Sequence, residues 1–207
     1  MQNYDCQKTK YMSSSIQNAF LFLGRFIASP RTIGAIAPSG AALARQMVRL
    51  AEVESAKTVL ELGPGTGSFT IAIARHLAPD ANFIAIEADP HLAVLLRKKL
   101  PSVRTVAGSA EHIDRIMKSY ELSQADTIVS GLPWATFESG LQDRILNAAR
   151  DILRPGGTFT TFSYVHAQPM RQAKRFRCKL EQTFATVQKS PVVWNNLPPA
   201  FVYCCKK

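Results

Sequence analysis

The sequence predicts an α/β fold: a mostly parallel, seven-stranded sheet with helices on both faces. Three observations carry this. Strand-like and helix-like segments alternate from residue 57 to residue 205, the pattern of parallel strands joined by crossover helices. A glycine-rich stretch, Gly63-Pro64-Gly65-Thr66-Gly67, follows the first strand-like run. An acidic residue, Glu87, ends the second run.

Thr58-Val59-Leu60 is a short apolar strand leading into the glycine loop, and Phe69 to Leu77 reads as a helix. Asn82 to Glu87 is the second strand. Pro90 to Leu100 is helical, with Leu92, Leu95, Leu96 and Leu100 expected on its inner face. Val103 to Val106 and Asp126 to Ser130 are the third and fourth strands. Leu141 to Leu153 is a helix stopped by Pro155-Gly156-Gly157, and Thr158 to Tyr164 is the fifth strand. A basic helix is expected near Met170 to Leu180, carrying Arg171, Lys174, Arg175, Arg177 and Lys179. Two last strands are expected near Ala185 to Gln188 and Phe201 to Cys204.

Residues 1–56 read as an N-terminal helical extension, and residues 57–207 as the main domain. Within the extension, Ser13 to Ala28 places Ile16, Ala19, Phe20, Leu23, Phe26 and Ile27 on one face, widened by Leu21 and Phe22. A second helix is expected from Ser39, a good N-cap, to about Glu52.

The chain has 207 residues, 46% hydrophobic and 19% charged, which is a globular composition. Twenty-five Lys and Arg against 15 Asp and Glu give a formal charge of +10. Such a surface favours an anionic partner, either nucleic acid or an anionic membrane face. Cys6, Cys178, Cys204 and Cys205 form no CxxC pair, and neighbours such as Cys204 and Cys205 point to opposite faces of a strand. His76, His91, His112 and His166 show no ligand spacing either. No metal site and a reducing compartment are expected. No secretory signal and no apolar run of membrane-spanning length are read.

Sites in parallel α/β sheets lie beyond the carboxyl ends of the strands, where strand order reverses. The loop Glu61-Leu62-Gly63-Pro64-Gly65-Thr66-Gly67 lies there. Its glycines allow a sharp turn and close backbone approach to a ligand. Its spacing departs from the G-x-G-x-x-G of dinucleotide sites, which is set by a pyrophosphate. Glu61 suits a ligand that carries a sulfonium and an ammonium instead. Glu87, twenty residues past Gly67, suits a pair of ribose hydroxyls.

This combination resembles the cofactor site of the class I S-adenosylmethionine-dependent methyltransferases, a Rossmann-like fold. The resemblance implies S-adenosylmethionine as cofactor, held by Glu61, Gly63, Gly65, Gly67, Glu87 and Ala88. It also assigns Ser130 and the loop after the third strand, Gly108-Ser109-Ala110-Glu111, with Ser109 and Ala110 at the adenine. Ser109 reads equally well as a plain helix N-cap.

Several segments together resemble the bacterial phospholipid N-methyltransferases. They are the amphipathic N-terminal helix, Ile33-Gly34-Ala35-Ile36-Ala37-Pro38-Ser39, Ser130-Gly131-Leu132-Pro133, Leu153-Arg154-Pro155-Gly156-Gly157 and Trp194-Asn195-Asn196-Leu197-Pro198-Pro199-Ala200-Phe201-Val202-Tyr203. Trp134 departs from the aliphatic residue expected there. The resemblance implies methylation of the amine of phosphatidylethanolamine, through to phosphatidylcholine, by a cytoplasmic protein peripherally bound to the inner face of the membrane. Phe20, Phe22, Leu23, Phe26 and Ile27 form the expected membrane face, beside Lys8, Lys10, Arg25 and Arg31. Each basic residue near an anionic surface contributes about 1 kcal/mol. The same helix is compatible with a lid packed on the site.

A lipid amine with a lysine-like pKa of ~10.4 costs roughly 4–5 kcal/mol to deprotonate at pH 7. The site must accept the ammonium's hydrogens and release a proton. The backbone carbonyls of Gly131 and Leu132 and the hydroxyl of Tyr164 are the candidate catalytic groups. Tyr11, Pro133, Trp134, Asn195 and Tyr203 are candidate substrate contacts, Trp134 through cation–π attraction.

The alternatives are an RNA adenine N-methyltransferase, a small-molecule methyltransferase and a non-catalytic binding module. Base methylases place Asn or Asp where this chain has Gly131, which weighs against nucleic acid. The intact cofactor loop weighs against the binding module.

Overall fold

The computed structural model describes residues 38–207. Tyr11, the helix read over residues 13–28 and its face of Phe20, Phe22, Leu23, Phe26 and Ile27 lie outside the described residues.

A seven-stranded sheet runs through the molecule in the order β3-β2-β1-β4-β5-β7-β6. Its strands are β1 (Thr58–Leu62), β2 (Asn82–Glu87), β3 (Arg104–Ala107), β4 (Ala125–Ser130), β5 (Leu153–Tyr164), β6 (Thr186–Lys189) and β7 (Ala200–Lys206). The first five are parallel, and β7 runs antiparallel between β5 and β6. The order reverses between β1 and β4, so the crevice expected at such a switch point opens above Leu62 and Ser130. This is the Rossmann-like arrangement read from the sequence.

The described helices are α1 (Pro38–Leu50), α2 (Ser68–His76), α3 (Pro90–Lys99), α4 (Ile113–Ser119), α5 (Ser139–Ile152) and α6 (Arg171–Thr183). They cover two faces. On one, Met47 and Val48 of α1 pack with Ile73, Leu96 and the outward residues of the central strands, including Val59, Ala85, Val129 and Val202. The segment from Pro38 thus shares the core of the strands. On the other face, Ile113, Leu146 and Phe176 cover Leu60, Ile84, Ile128 and Phe159. Alternation along each strand sends consecutive side chains to opposite cores. Cys205 is buried in the second core, whereas Cys204 faces α1 and contacts the Leu50 carbonyl.

Three readings need correction. Leu95 is 60% exposed, because α3 turns Ala93 and Leu96 inward and Leu95 lies 100° around from Leu96. Helix α4, between β3 and β4, is too short to establish a periodic apolar stripe and was not predicted. The fifth strand starts at Leu153, directly after α5, and not at Thr158: Leu153 pairs with Ala125, and the ladder is irregular until Thr158 pairs with Thr127. Pro155 and the positive φ of Gly156 (73°) make that irregular stretch.

Asp126 staples the far end of the sheet. Its Oδ2 accepts from the N–H groups of Lys57 (2.9 Å) and Thr58 (2.8 Å), and its Oδ1 pairs with Arg154. Burial raises its carboxyl, but the Arg154 guanidinium and these N–H groups outweigh that and hold it below the usual range.

Candidate active site

Four loops meet at the carboxyl ends of the central strands. Three of them continue the sheet by one bond before turning away: Gly63 N–H donates to Ile86 O (2.9 Å), Gly131 N–H to Leu62 O (2.8 Å) and Gly108 N–H to Glu87 O (2.8 Å). The ladder thus brings Gly63, Glu87, Gly108 and Gly131 side by side.

The glycine loop has three positive φ values: 70° at Gly63, 53° at Gly65 and 89° at Gly67. A Cβ on Gly63 would lie 2.7 Å from Leu132 Cδ2, and one on Gly67 would lie 2.7 Å from Leu96 Cδ1. Gly65 differs: its missing side chain would point into open space. The backbone at Gly65 is therefore bare toward the crevice, as a ligand that approaches the main chain requires.

Glu61 is fully buried at the end of β1, and neither of its carboxyl oxygens has a hydrogen-bond partner of acceptable geometry. The same holds for the buried Thr70 hydroxyl in the first turn of α2. Burial, above all, pushes the Glu61 carboxyl up to about 8; proximity to Thr70 opposes this and repulsion from Glu87 adds to it. A buried carboxyl without donors is costly, and a cationic ligand with N–H groups repays it. Glu87 is buried too. Its Oε2 accepts from Gly65 N–H (2.9 Å) and its Oε1 from Asp89 N–H (3.0 Å), leaving a lone pair on each oxygen for hydroxyl donors. Burial is again the largest influence and raises its carboxyl, while those N–H bonds oppose it. The cap residue of α2, Gly67, offers no side-chain acceptor to the helix, so its N-terminus, directly after the glycine loop, is free of a side-chain cap. Orphan carboxyl, bare loop and free helix terminus together fit the ammonium, sulfonium and carboxylate of S-adenosylmethionine. Ala88 follows Glu87 directly. Ser109 caps the short turn Ala110–His112 by accepting from Glu111 N–H (3.3 Å), and Ala110 is buried beneath it.

The chain matches the methyltransferase domain family over residues 59–157. It is 34% identical to the ornithine lipid N-methyltransferase of Singulisphaera acidiphila, over 92% of this chain and 97% of that one. The chain belongs to the class I S-adenosylmethionine-dependent methyltransferases. It is also 28% identical to the human transmembrane O-methyltransferase, over 66% of this chain but only 51% of that protein. Among solved structures, the O-methyltransferase TomG from Streptomyces achromogenes, crystallised with S-adenosylmethionine, superposes with a TM-score of 0.64 at 18% identity, over 95% of this chain and 91% of that one. That likeness concerns the fold.

Gly131, around which the acceptor side is expected, lies next to the glycine loop. A Cβ on Gly131 would lie 2.6 Å from Gly63 O and 3.4 Å from the Phe69 ring. Phe69 meets Phe162 edge-on at 5.6 Å, Phe162 meets Tyr164 at 5.5 Å, and Tyr164 stacks on His166 at 5.6 Å. Leu132 is buried beneath Gly63, and Pro133 is half-buried.

Trp134 lies elsewhere. It is buried, its ring stacks on Phe176 at 4.8 Å, and its Nε1 donates to Ser130 Oγ and Thr161 Oγ1 (3.1 Å each). Ser130 Oγ is thereby committed to the core. Tyr203 points to that same core, against Phe176 and Phe201, on the opposite face of the sheet from Tyr164. Asn195 is exposed in the loop between β6 and β7. The structure adds Phe69, Thr70, Phe162 and His166 to the candidates. Phe162 was accessible to sequence reading, since it shares a strand face with Tyr164; Phe69 and Thr70 open the helix after the glycine loop.

Among the described residues, no group of three His, Cys, Asp or Glu side chains is placed to hold a metal ion, and no helix is long and apolar enough to cross a membrane.

Proposed function

We propose that this methyltransferase methylates the primary amine of a membrane lipid headgroup at the bilayer surface, with phosphatidylethanolamine as acceptor and successive transfers leading to phosphatidylcholine. The observation that carries the reading is the setting of Gly131. The gap between the Gly63 carbonyl and the Phe69 ring leaves no room for the Asn or Asp with which base methylases grip an exocyclic amine. Phe69 borders it directly, with Phe162 and Tyr164 next in a chain of edge-on aromatic contacts, groups suited to an aliphatic amine that gains methyl groups and stays cationic. Full-length similarity to an ornithine lipid N-methyltransferase supports a lipid amine as the shared chemistry.

Bound S-adenosylmethionine supplies a methyl group on a sulfonium, so no nucleophilic side chain is needed and positioning dominates. The backbone carbonyls of Gly131 and Leu132 are the acceptors offered to the amine's hydrogens. Burial raises the Tyr164 phenol, so it stays neutral and acts as a hydrogen-bond acceptor. Trp134, locked in the core, is replaced in the cation–π role by Phe69, Phe162 and Tyr164. His166, exposed beside Tyr164, stands where a released proton reaches water.

The test is transfer of labelled methyl from S-adenosylmethionine into detergent-dispersed phosphatidylethanolamine, ornithine lipid, phosphatidylglycerol or ribosomal RNA. Label in phosphatidylethanolamine is expected; label confined to ornithine lipid would replace the headgroup, and label in RNA alone would overturn the lipid reading. Tyr164→Phe is expected to lower kcat about 10-fold, the weight of one hydrogen bond, with cofactor affinity unchanged.

A further inference from the structure

The two most exposed large apolar side chains among the described residues are Trp194, at 72%, and Leu197, at 86%. Both sit in the loop between β6 and β7. The loop is braced from within. Val193 bridges to Ala200, Asn196 N–H donates to Val193 O (3.2 Å), and the buried Asn196 side chain donates to Pro198 O (2.6 Å). With Asn196 turned inward as the anchor, Trp194 and Leu197 on either side of it are turned out. An apolar pair held in water by a fixed loop calls for a partner.

The loop also has a telling place. It returns to the sheet at Ala200, which pairs with Tyr164, and Pro199 O accepts from Val165 N–H (2.9 Å). It therefore forms the rim of the acceptor side. The neighbouring segment adds Met170, 51% exposed, and is tied on through Lys189 Nζ and Gln168 Oε1 (3.1 Å). Arg171, Lys174 and Arg175, which follow Met170 in sequence, and Lys189, which closes β6 before the loop, are all exposed. From residue 165 to residue 207 the only acidic residue is Glu181.

We propose that the Trp194–Leu197 loop inserts into the headgroup region of an anionic bilayer and seats the acceptor side on the lipid surface. The inference rests on the lipid-amine reading above. Trp is suited to an interface because its ring is apolar and its N–H wet. The exposed cations pair with anionic headgroups. Charge also selects among occupants: a second copy would bring the same basic rim, and residues 1–37 contain Lys8, Lys10, Arg25 and Arg31 against a single Asp5.

The two tryptophans make the test direct, since Trp134 is buried and Trp194 exposed. The full chain is mixed with phosphatidylglycerol–phosphatidylcholine vesicles, with and without bromine on the acyl chains. The expected result is a blue shift and bromine quenching, both absent in Trp194→Phe. Leu197→Ser is expected to weaken vesicle binding by ~10-fold or more, from lost apolar burial. Methyl transfer to a short-chain, monomeric phosphatidylethanolamine should be unchanged in both variants. Emission unaffected by vesicles, or already shielded from aqueous acrylamide before lipid is added, overturns the proposal; the second result assigns the loop to residues 1–37 or to another copy. Normal methylation of the short-chain lipid alongside such a failure leaves the lipid-amine reading standing. No methylation of that lipid removes the reading itself.

Discussion

A buried carboxyl without a hydrogen-bond partner destabilises the free protein wherever it is ionised. Glu61 is such a group, with its ordinary value near 4.5 pushed up to about 8. A raised folded-state pKa means that the stability is fully present below about 4.5 and is lost as pH rises toward 8, by on the order of a few kcal/mol. Glu61→Gln is therefore expected to raise the Tm of the cofactor-free protein at pH 8 and to flatten its pH dependence, read by thermal denaturation. The same variant should bind S-adenosylmethionine at least ~10-fold more weakly in titration calorimetry, because a charge-assisted contact is lost. Wild-type binding should release protons between pH 6 and 8 as Glu61 ionises against the ligand's positive charge. A variant that melts lower than wild type at pH 8, or binds equally well, would refute this role. The sequence placed Glu61 beside the glycines and so exposed its relevance to a ligand. Its unpaired state was not legible, since that depends on Thr70 approaching without bonding and on the sheet closing over both.

At the scale of elements, the glycine loop separates two requirements that a sequence presents as one. Gly63 and Gly67 are needed for packing against Leu132 and Leu96, whereas Gly65 faces open space. Gly65→Ala is expected to cost only about 1–2 kcal/mol in stability, the penalty for a left-handed residue with a Cβ, while weakening cofactor binding far more than that. Gly63→Ala should lose both. Comparing denaturation with calorimetry for the two variants separates these effects, and equal losses in Gly65→Ala would contradict the assignment. At the opposite end of the sheet, Asp126→Ala leaves the Lys57 and Thr58 N–H groups without their acceptor and should cost about 1–3 kcal/mol in urea denaturation. Strand and helix positions were largely legible because apolar runs and leucine spacing report directly on burial. The short α4 and the irregular start of β5 were not, since each is set by neighbours distant in sequence.

At the scale of the molecule, parallel pairing from β3 to β5 gathers every cofactor candidate at one end, and the antiparallel β7 brings the β6–β7 loop to the same end. This explains which sequence expectations converged. Glu61, Gly65, Glu87 and Gly131 lie at successive strand ends, so a linear reading could group them. Trp134 and Tyr203 looked alike to that reading as aromatics near the site, but the sheet divides them from Tyr164, and only the three-dimensional alternation of faces reveals it. The measurement that tests the account most directly is mass spectrometry of lipids extracted after incubating the full chain with S-adenosylmethionine and phosphatidylethanolamine-containing vesicles. The expected spectrum shows phosphatidylethanolamine converted stepwise to mono-, di- and trimethylated headgroups. Unaltered phosphatidylethanolamine, from protein that binds S-adenosylmethionine and those vesicles normally, would contradict it.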